Sequence, residues 1–139
     1  MQPQSFWPSK SGTSHNGPLK LLEKQAELLS TYDSSLEGRV TTAYSDGDDK
    51  ITVALYILNH KIRGYNYRLI SFEQKVGEEY PVTLRVHYNT TSPEVGTASN
   101  AAEFEKLLAK TLADNSTKNI LDYLLNMGNI MHDYREDLE

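Results

Sequence analysis

The fold of this chain is decided by residues 36–59, LEGRVTTAYSDGDDKITVALYILN, in which two alternating segments flank an Asp-Gly turn. In the second segment every other residue is apolar, giving the row Ile51, Val53, Leu55 and Ile57. Asp-Gly tolerates the positive φ angles that tight turns demand. The stretch therefore predicts two antiparallel strands, at 36–45 and 50–59, joined by a hairpin.

Two more strands are predicted after this hairpin, at 65–75 and 80–88. Turn signals separate them, at Gly64 and at Gly77-Glu78-Glu79. Because such short connectors leave no room for a crossover, neighbouring strands must run antiparallel. The prediction is a four-stranded antiparallel meander.

Helices are predicted on both sides of the meander. Pro18 suits a first helical position, and apolar residues at helical spacing follow it, which indicates a helix over 18–31. Asn100 followed by Glu103 resembles a capping box and starts a helix over 101–113, and a last helix is predicted over 117–135. The expected fold is a two-layer α+β domain of order α-β-β-β-β-α-α, with the helices packed on one face of the sheet.

The length of 139 residues suits one hydrophobic core. Residues 1–17 show no periodicity and contain two Pro and two Gly, so we expect a disordered leader. We expect a single domain over 18–139.

Several kinds of chemistry are excluded or unsupported. The chain has no Cys, which excludes disulfides, thiolate zinc sites and iron–sulfur clusters. The acidic run Asp46-Gly47-Asp48-Asp49 fails as a calcium loop, because Lys50 and Ile51 occupy the fifth and sixth positions. The four His have no metal-ligand spacing, and neither a G-x-S-x-G nor a phosphate-binding glycine motif occurs. We therefore expect no catalytic residues, no cofactor and no metal.

Charge and hydropathy restrict the partners. A net charge of −5 and a pI near 5.4 argue against a nucleic-acid partner, whose phosphates require clustered Lys and Arg. No stretch approaches the roughly 20 apolar residues of a membrane helix. The first residues lack the features of a secretory signal, so we expect a cytoplasmic protein.

One face of the predicted sheet carries more apolar surface than a solvated face requires. The strand at 50–59 is apolar on both rows, since Ala54, Tyr56 and Leu58 oppose the Ile51 row. If Tyr65, Tyr67 and Leu69 point to the helices, Arg68, Ile70 and Phe72 point away from them. The predicted outer face is a candidate interaction face made of Tyr56, Leu58, Arg68, Ile70, Phe72, Arg85 and His87.

Three interpretations of this face stay open. Its mixture of aromatic, aliphatic and arginine side chains is typical of protein interfaces. Alternatively, the last helix covers the face and makes it a second core. In the third interpretation a bulge in the strand at 65–75 shifts the register by one residue and exchanges its two rows.

The function expected from these patterns is a non-enzymatic interaction module that binds itself, as a homodimer, or another protein through the outer face. The alternative is a protein or enzyme that binds a small anionic ligand through Arg68, Arg85 and His87. A narrower hypothesis gives the acidic tail a role, in which Asp133, Glu136, Asp137 and Glu139 fold back onto the arginines or reach a second subunit.

Overall fold

The computed structural model describes residues 6, 17–88 and 91–138, with side chains up to Met131. The predicted leader lies outside these residues apart from Phe6 and Gly17. The elements are α1 (Pro18–Tyr32), β1 (Leu36–Ser45), β2 (Lys50–Asn59), β3 (Asn66–Lys75), β4 (Val82–Val86), β5 (Glu94–Ala98), α2 (Ala101–Leu112) and α3 (Asn115–Leu138).

The five strands form one antiparallel sheet in the order β1-β2-β3-β4-β5. The predicted α+β class and meander are confirmed, and the sheet has one strand more than predicted. Pro93 and Gly96 favoured a connector in the sequence, but β5 pairs with β4, with Thr97 opposite Thr83. Gly96 lies against α2, where a Cβ would come within 3.0 Å of the Leu107 side chain.

All three helices pack on the same face of the sheet, which we call the inner face. Helix α1 crosses β1 so closely that a Cβ on Gly38 would lie 2.7 Å from the Ala26 Cα. Helix α2 places Phe104 edge-on against Phe72, with ring centroids 5.4 Å apart.

Helix α3 also lies on the inner face. Its Leu121 shares a cavity with Leu55 and Ile57 of β2, and buried Asn59 donates a hydrogen bond from Nδ2 to the Leu124 carbonyl at 2.8 Å. The alternative in which the last helix covers the outer face is therefore wrong.

A β-bulge in β3 decides which side chains reach the core. Tyr56 of β2 lies opposite Arg68, whereas its neighbour Leu55 lies opposite Ile70, so Leu69 is an extra residue. Beyond the bulge the two rows of β3 exchange faces. Ile70 and Phe72 are 0% and 1% exposed in the core, so their predicted place on the outer face is wrong. The bulge interpretation is the correct one.

The predicted N-cap of α2 is confirmed in its main contact. The Glu103 amide donates to Asn100 Oδ1 at 2.9 Å. The return contact of the capping box is displaced by one residue, because the Glu103 carboxylate accepts from the Ser99 amide at 2.7 Å. In the β1–β2 turn the positive φ, 51°, belongs to Asp49.

Candidate functional site

The outer face is the side of the sheet against which, within the described part of the chain, no helix packs. Its cross-strand pairs include Arg39 with Tyr56, Tyr56 with Arg68, and Ser71 with Arg85. Five of the seven predicted residues belong to it, namely Tyr56, Leu58, Arg68, Arg85 and His87, and two, Ile70 and Phe72, do not. The face therefore keeps all the predicted cationic groups and loses half of its large apolar ones.

His87 is held in place by two hydroxyl groups. Its Nε2 lies 2.7 Å from Ser71 Oγ, and its Nδ1 lies 2.9 Å from Ser92 Oγ. The backbone amide of His87 donates to the Leu69 carbonyl at 2.7 Å, which ties this residue to the bulge. A neutral ring satisfies both hydroxyls by donating to one and accepting from the other.

We call Arg68, Ser71, Arg85, His87 and Ser92 the His87 cluster. Within it, Arg85 contacts the segment between β4 and β5. Its Nη1 donates to the Ser92 carbonyl at 3.0 Å, and its Nη2 pairs with Glu94 Oε1 at 2.8 Å. These contacts place the Ser92 hydroxyl beside His87 Nδ1. Arg85 therefore uses part of its guanidinium group to hold Ser92 and Glu94, and its side chain stays exposed to solvent.

Arg68, like Arg85, is an exposed cation of the outer face. It follows Tyr67 immediately before the bulge, so its side chain stays on the outer face opposite Tyr56. Among the residues that the structure describes, no carboxylate forms an ion pair with it. Its charge is therefore available to an incoming anion.

The electrostatics of the cluster keep His87 neutral. Burial lowers the pKa of His87 below its ordinary value, and the nearby charges of Arg68 and Arg85 lower it further. A bound anion would act in the opposite direction, since it would favour the imidazolium form. The protonation of the ring thus depends on its burial and on the charges of the two guanidinium groups.

The Ser71–His87–Ser92 chain resembles a nucleophile, a base and an orienting group, but two features separate it from a hydrolytic triad. Ser92 offers a hydroxyl where a carboxylate normally stabilises the imidazolium. Ser71 is only 4% exposed, which leaves little room for a substrate to reach its Oγ. The geometry favours positioning of the ring over nucleophilic catalysis.

A second patch adjoins the cluster, formed by the half-buried side chains of Tyr56 and Leu58. Arg39 and Arg68 lie opposite Tyr56 on its two neighbouring strands, and Arg39 pairs with Glu37 at 3.1 Å. At the sheet end the patch opens into a shallow groove of about 320 Å³ whose lining includes Arg39, Leu58, His60 and Arg63. Arg68 lies between this patch and the rest of the His87 cluster.

Sequence reasoning missed Ser71, Ser92 and Glu94. The sequence does contain a signal for Ser71, because two consecutive apolar residues, Leu69 and Ile70, interrupt the alternation and change its parity. After them Ser71 and Glu73 alternate with Phe72, which indicates polar residues on the outer face. No comparable signal identifies Ser92 or Glu94, whose roles arise from the pairing of β4 with β5.

In the described ranges, no group of three or more His, Asp or Glu side chains converges as a metal site would require. No helix there is both long enough and apolar enough to cross a bilayer. Comparison with protein families, curated proteins and solved structures found no match to this chain.

Proposed function

We propose that this protein is a non-enzymatic, cytoplasmic binding module that holds another protein against the outer face of its sheet. Tyr56, Arg68 and Arg85 are the anchors. The observation that carries the proposal is the position of Tyr56, half-buried on a face that no described helix covers and placed between two arginines. Tyr and Arg are the residue types that most often dominate interface energies.

The chemistry of the face favours a particular kind of partner. Arg68 has no ion pair within the described ranges, and Arg85 uses part of its guanidinium on Glu94. A partner with a carboxylate beside an apolar side chain would satisfy Arg68 while covering Leu58 and the Tyr56 ring. Such a contact would be weakened by salt, because the arginines are exposed.

Site-specific photocrosslinking tests the proposal. The photoreactive residue p-benzoylphenylalanine is placed at Tyr56 and, as a matched control, at Tyr44, which is an exposed tyrosine near the hairpin turn. In extract of the source cells, we expect one discrete adduct from position 56 that excess unmodified protein competes away. Position 44 should give no such adduct.

Two outcomes would overturn the proposal. One is the absence of a competed adduct at position 56 in the folded variant, and the other is the same adducts at both positions. An adduct of twice the chain mass in purified protein would instead show that the face binds a second copy.

A second candidate function is binding of a small anionic ligand, phosphate or carboxylate, by Arg68, Arg85 and His87. The feature that favours it is that Arg68, Arg85 and the His87 ring share the outer face of the sheet. Burial lowers the pKa of the ring, and the charges of both guanidinium groups lower it further. The Ser71 and Ser92 hydroxyls fix the ring.

A titration with inorganic phosphate tests this candidate, followed by the NMR signals of the His87 ring. We expect phosphate to raise the pKa of His87 and to raise the melting temperature through linkage. The Arg68→Ala variant should lose both effects, whereas Arg63→Ala, on the neighbouring loop, should keep them. If phosphate leaves the His87 pKa unchanged in the wild type, the candidate is wrong.

A further inference from the structure

Helix α3 contacts the core through side chains in its first part. Among the side chains that the structure describes, which end at Met131, the buried positions of α3 are Thr117, Leu121, Leu124 and Gly128. After Gly128 the side chains of residues 129–131 are exposed, and the backbone continues as helix to Leu138. At 1.5 Å per residue, these last ten residues add roughly 15 Å of helix.

A second apolar row runs along α3 beside its buried residues, and two of its members, Ile120 and Met127, are partly buried against the core. Ile120, Tyr123, Met127 and Ile130 are spaced three, four and three residues apart, the spacing of a coiled-coil seam. Tyr134 continues the spacing in the sequence. Tyr123 and Ile130 are 63% and 60% exposed, and Met131 beside them is 44% exposed. We call Ile120, Tyr123, Met127, Ile130 and Met131 the α3 stripe.

The first half of the α3 stripe borders a groove of about 600 Å³. Tyrosines from the sheet line its other wall, so that the lining is Tyr65, Tyr67, Tyr88, Ser116, Asn119, Ile120 and Tyr123. The Tyr67 hydroxyl donates to the His87 carbonyl at 2.6 Å, and burial raises the pKa of Tyr65 above its ordinary value. The groove is therefore uncharged, with tyrosine rings and Ile120 beside the polar groups of Ser116 and Asn119.

The charge distribution along α3 indicates what covers the stripe. In the sequence of the last turns, Asp133, Glu136 and Asp137 outnumber Arg135. The first turns contain one charge of each sign, Lys118 and Asp122. A parallel pair of α3 helices would bring two acidic ends together. An antiparallel pair centred on Met127 sets position 136 of one copy level with Lys118 of the other, and also opposes the helix dipoles.

We propose that the α3 stripe is a homodimer interface, in which the α3 helices of two copies pair antiparallel about Met127. Ile130 and Met131 of each copy lie beside Tyr123 of the other and close its tyrosine groove. The contact is isologous, so that one helix face serves both copies. It leaves the outer face of the sheet uncovered, and it does not depend on the proposed function.

Sedimentation velocity over a range of concentrations tests the dimer. We expect wild-type protein to approach twice its 15.7 kDa mass, and Ile130→Glu to raise the dimer Kd by at least about tenfold. The matched control is Leu28→Glu, because Leu28 is an exposed aliphatic residue on α1, and it should dimerise like the wild type. Far-UV circular dichroism must show the same helix content in all three proteins.

Disulfide trapping tests the orientation, and the absence of native Cys makes it free of background. Tyr123→Cys and Met131→Cys proteins are mixed under mild oxidation. The antiparallel pair predicts mainly 123-to-131 links, whereas a parallel pair predicts 123-to-123 and 131-to-131 links. Monomeric wild type at all concentrations, a dimer in Ile130→Glu that matches the wild type, or a majority of like-to-like links would each overturn the proposal.

Discussion

The pKa of His87 depends on the arginines of the outer face and can be measured. Its ring is fixed by Ser71 and Ser92, and Arg68 and Arg85 are the cations that act on it. The nearest acidic partner in this network, Glu94, pairs with Arg85. The protonation of this one side chain therefore depends on Arg68 and Arg85.

The pH dependence of stability follows from the lowered pKa of His87. The pKa of His87 is lower in the folded chain than its ordinary value of 6.5. As the pH falls, the unfolded chain therefore takes up a proton on His87 before the folded chain does. The contribution of His87 to stability is thus fully present above the ordinary pKa and is lost as the pH falls towards the folded-state pKa. We expect the free energy of unfolding to fall between about pH 7.5 and about pH 5.5.

Urea denaturation at the two pH values measures this effect, with His87→Gln as the comparison. The variant should show a smaller fall, since its side chain does not titrate. An equal fall in both proteins would mean that other groups cause it.

Independently, Arg85→Ala should bring the pKa of His87 closer to 6.5, which ring-proton NMR can follow.

At the scale of elements, the bulge at Leu69 makes a prediction about β3. Phe72 and Glu73 are neighbours in sequence on opposite faces of the sheet, and only Phe72 contacts the Phe104 ring. We expect Phe72→Ala to lower the free energy of unfolding by about 3–5 kcal/mol because it leaves a cavity. Glu73→Ala should change it by less than about 0.5 kcal/mol, since Glu73 is exposed. Equal losses in urea denaturation would contradict the assigned register.

The contact between α1 and β1 makes a second prediction. A Cβ on Gly38 would meet the Ala26 backbone, so Gly38→Ala must push the helix away from the strand. We expect a loss of about 1–3 kcal/mol, the usual range for overpacking. Gly47→Ala is the matched control, because nothing lies within 4 Å of its Cβ position. If the thermal melts of the two variants coincide, α1 lies farther from β1 than the close approach of Gly38 and Ala26 requires.

Sequence periodicity predicted an element well where the same spacing of apolar residues holds over its whole length. The β1–β2 hairpin follows from the alternation on either side of its turn, although the positive φ of the turn belongs to Asp49 and not to Asp46-Gly47. The start of α2 follows from Asn100, whose effect is local. The prediction was wrong for β3. Alternation assigns side chains to the two faces correctly only while the register is constant, and the extra Leu69 changes the register midway. Strand β5 was missed because Gly96 is required by the approach of Leu107, a tertiary contact that no local pattern shows.

The candidate site was predictable to the same extent. Arg68 and Arg85 lie on the predicted face because Arg68 precedes the bulge and Arg85 pairs with Ser71 beyond it. Ile70 and Phe72 follow the bulge, so the same reasoning assigned them to the wrong side. The Ser92 contacts depend on the path from β4 to β5, which hydrophobic patterning does not specify.

At the scale of the whole molecule, one continuous core joins the sheet to all three helices. It contains Leu22 of α1, Phe104 of α2 and Leu124 of α3 together with the inner rows of the strands. We therefore expect residues 17–131 to unfold in a single cooperative transition. Far-UV circular dichroism and tyrosine fluorescence should give the same midpoint in urea. Two separated midpoints would show that part of this core is an independent unit.

The bulge also determines which changes of length β3 can accept. Deleting Leu69 would bring Ile70 directly after Arg68, and every other side chain of the strand would keep its face, because only the unpaired residue is lost. Deleting Ser71 instead would make Ile70 and Phe72 neighbours in sequence, so that one of these two buried side chains would have to turn outward. A codon lost at position 69 removes one buried leucine, whereas a codon lost two positions later changes which surface the protein presents.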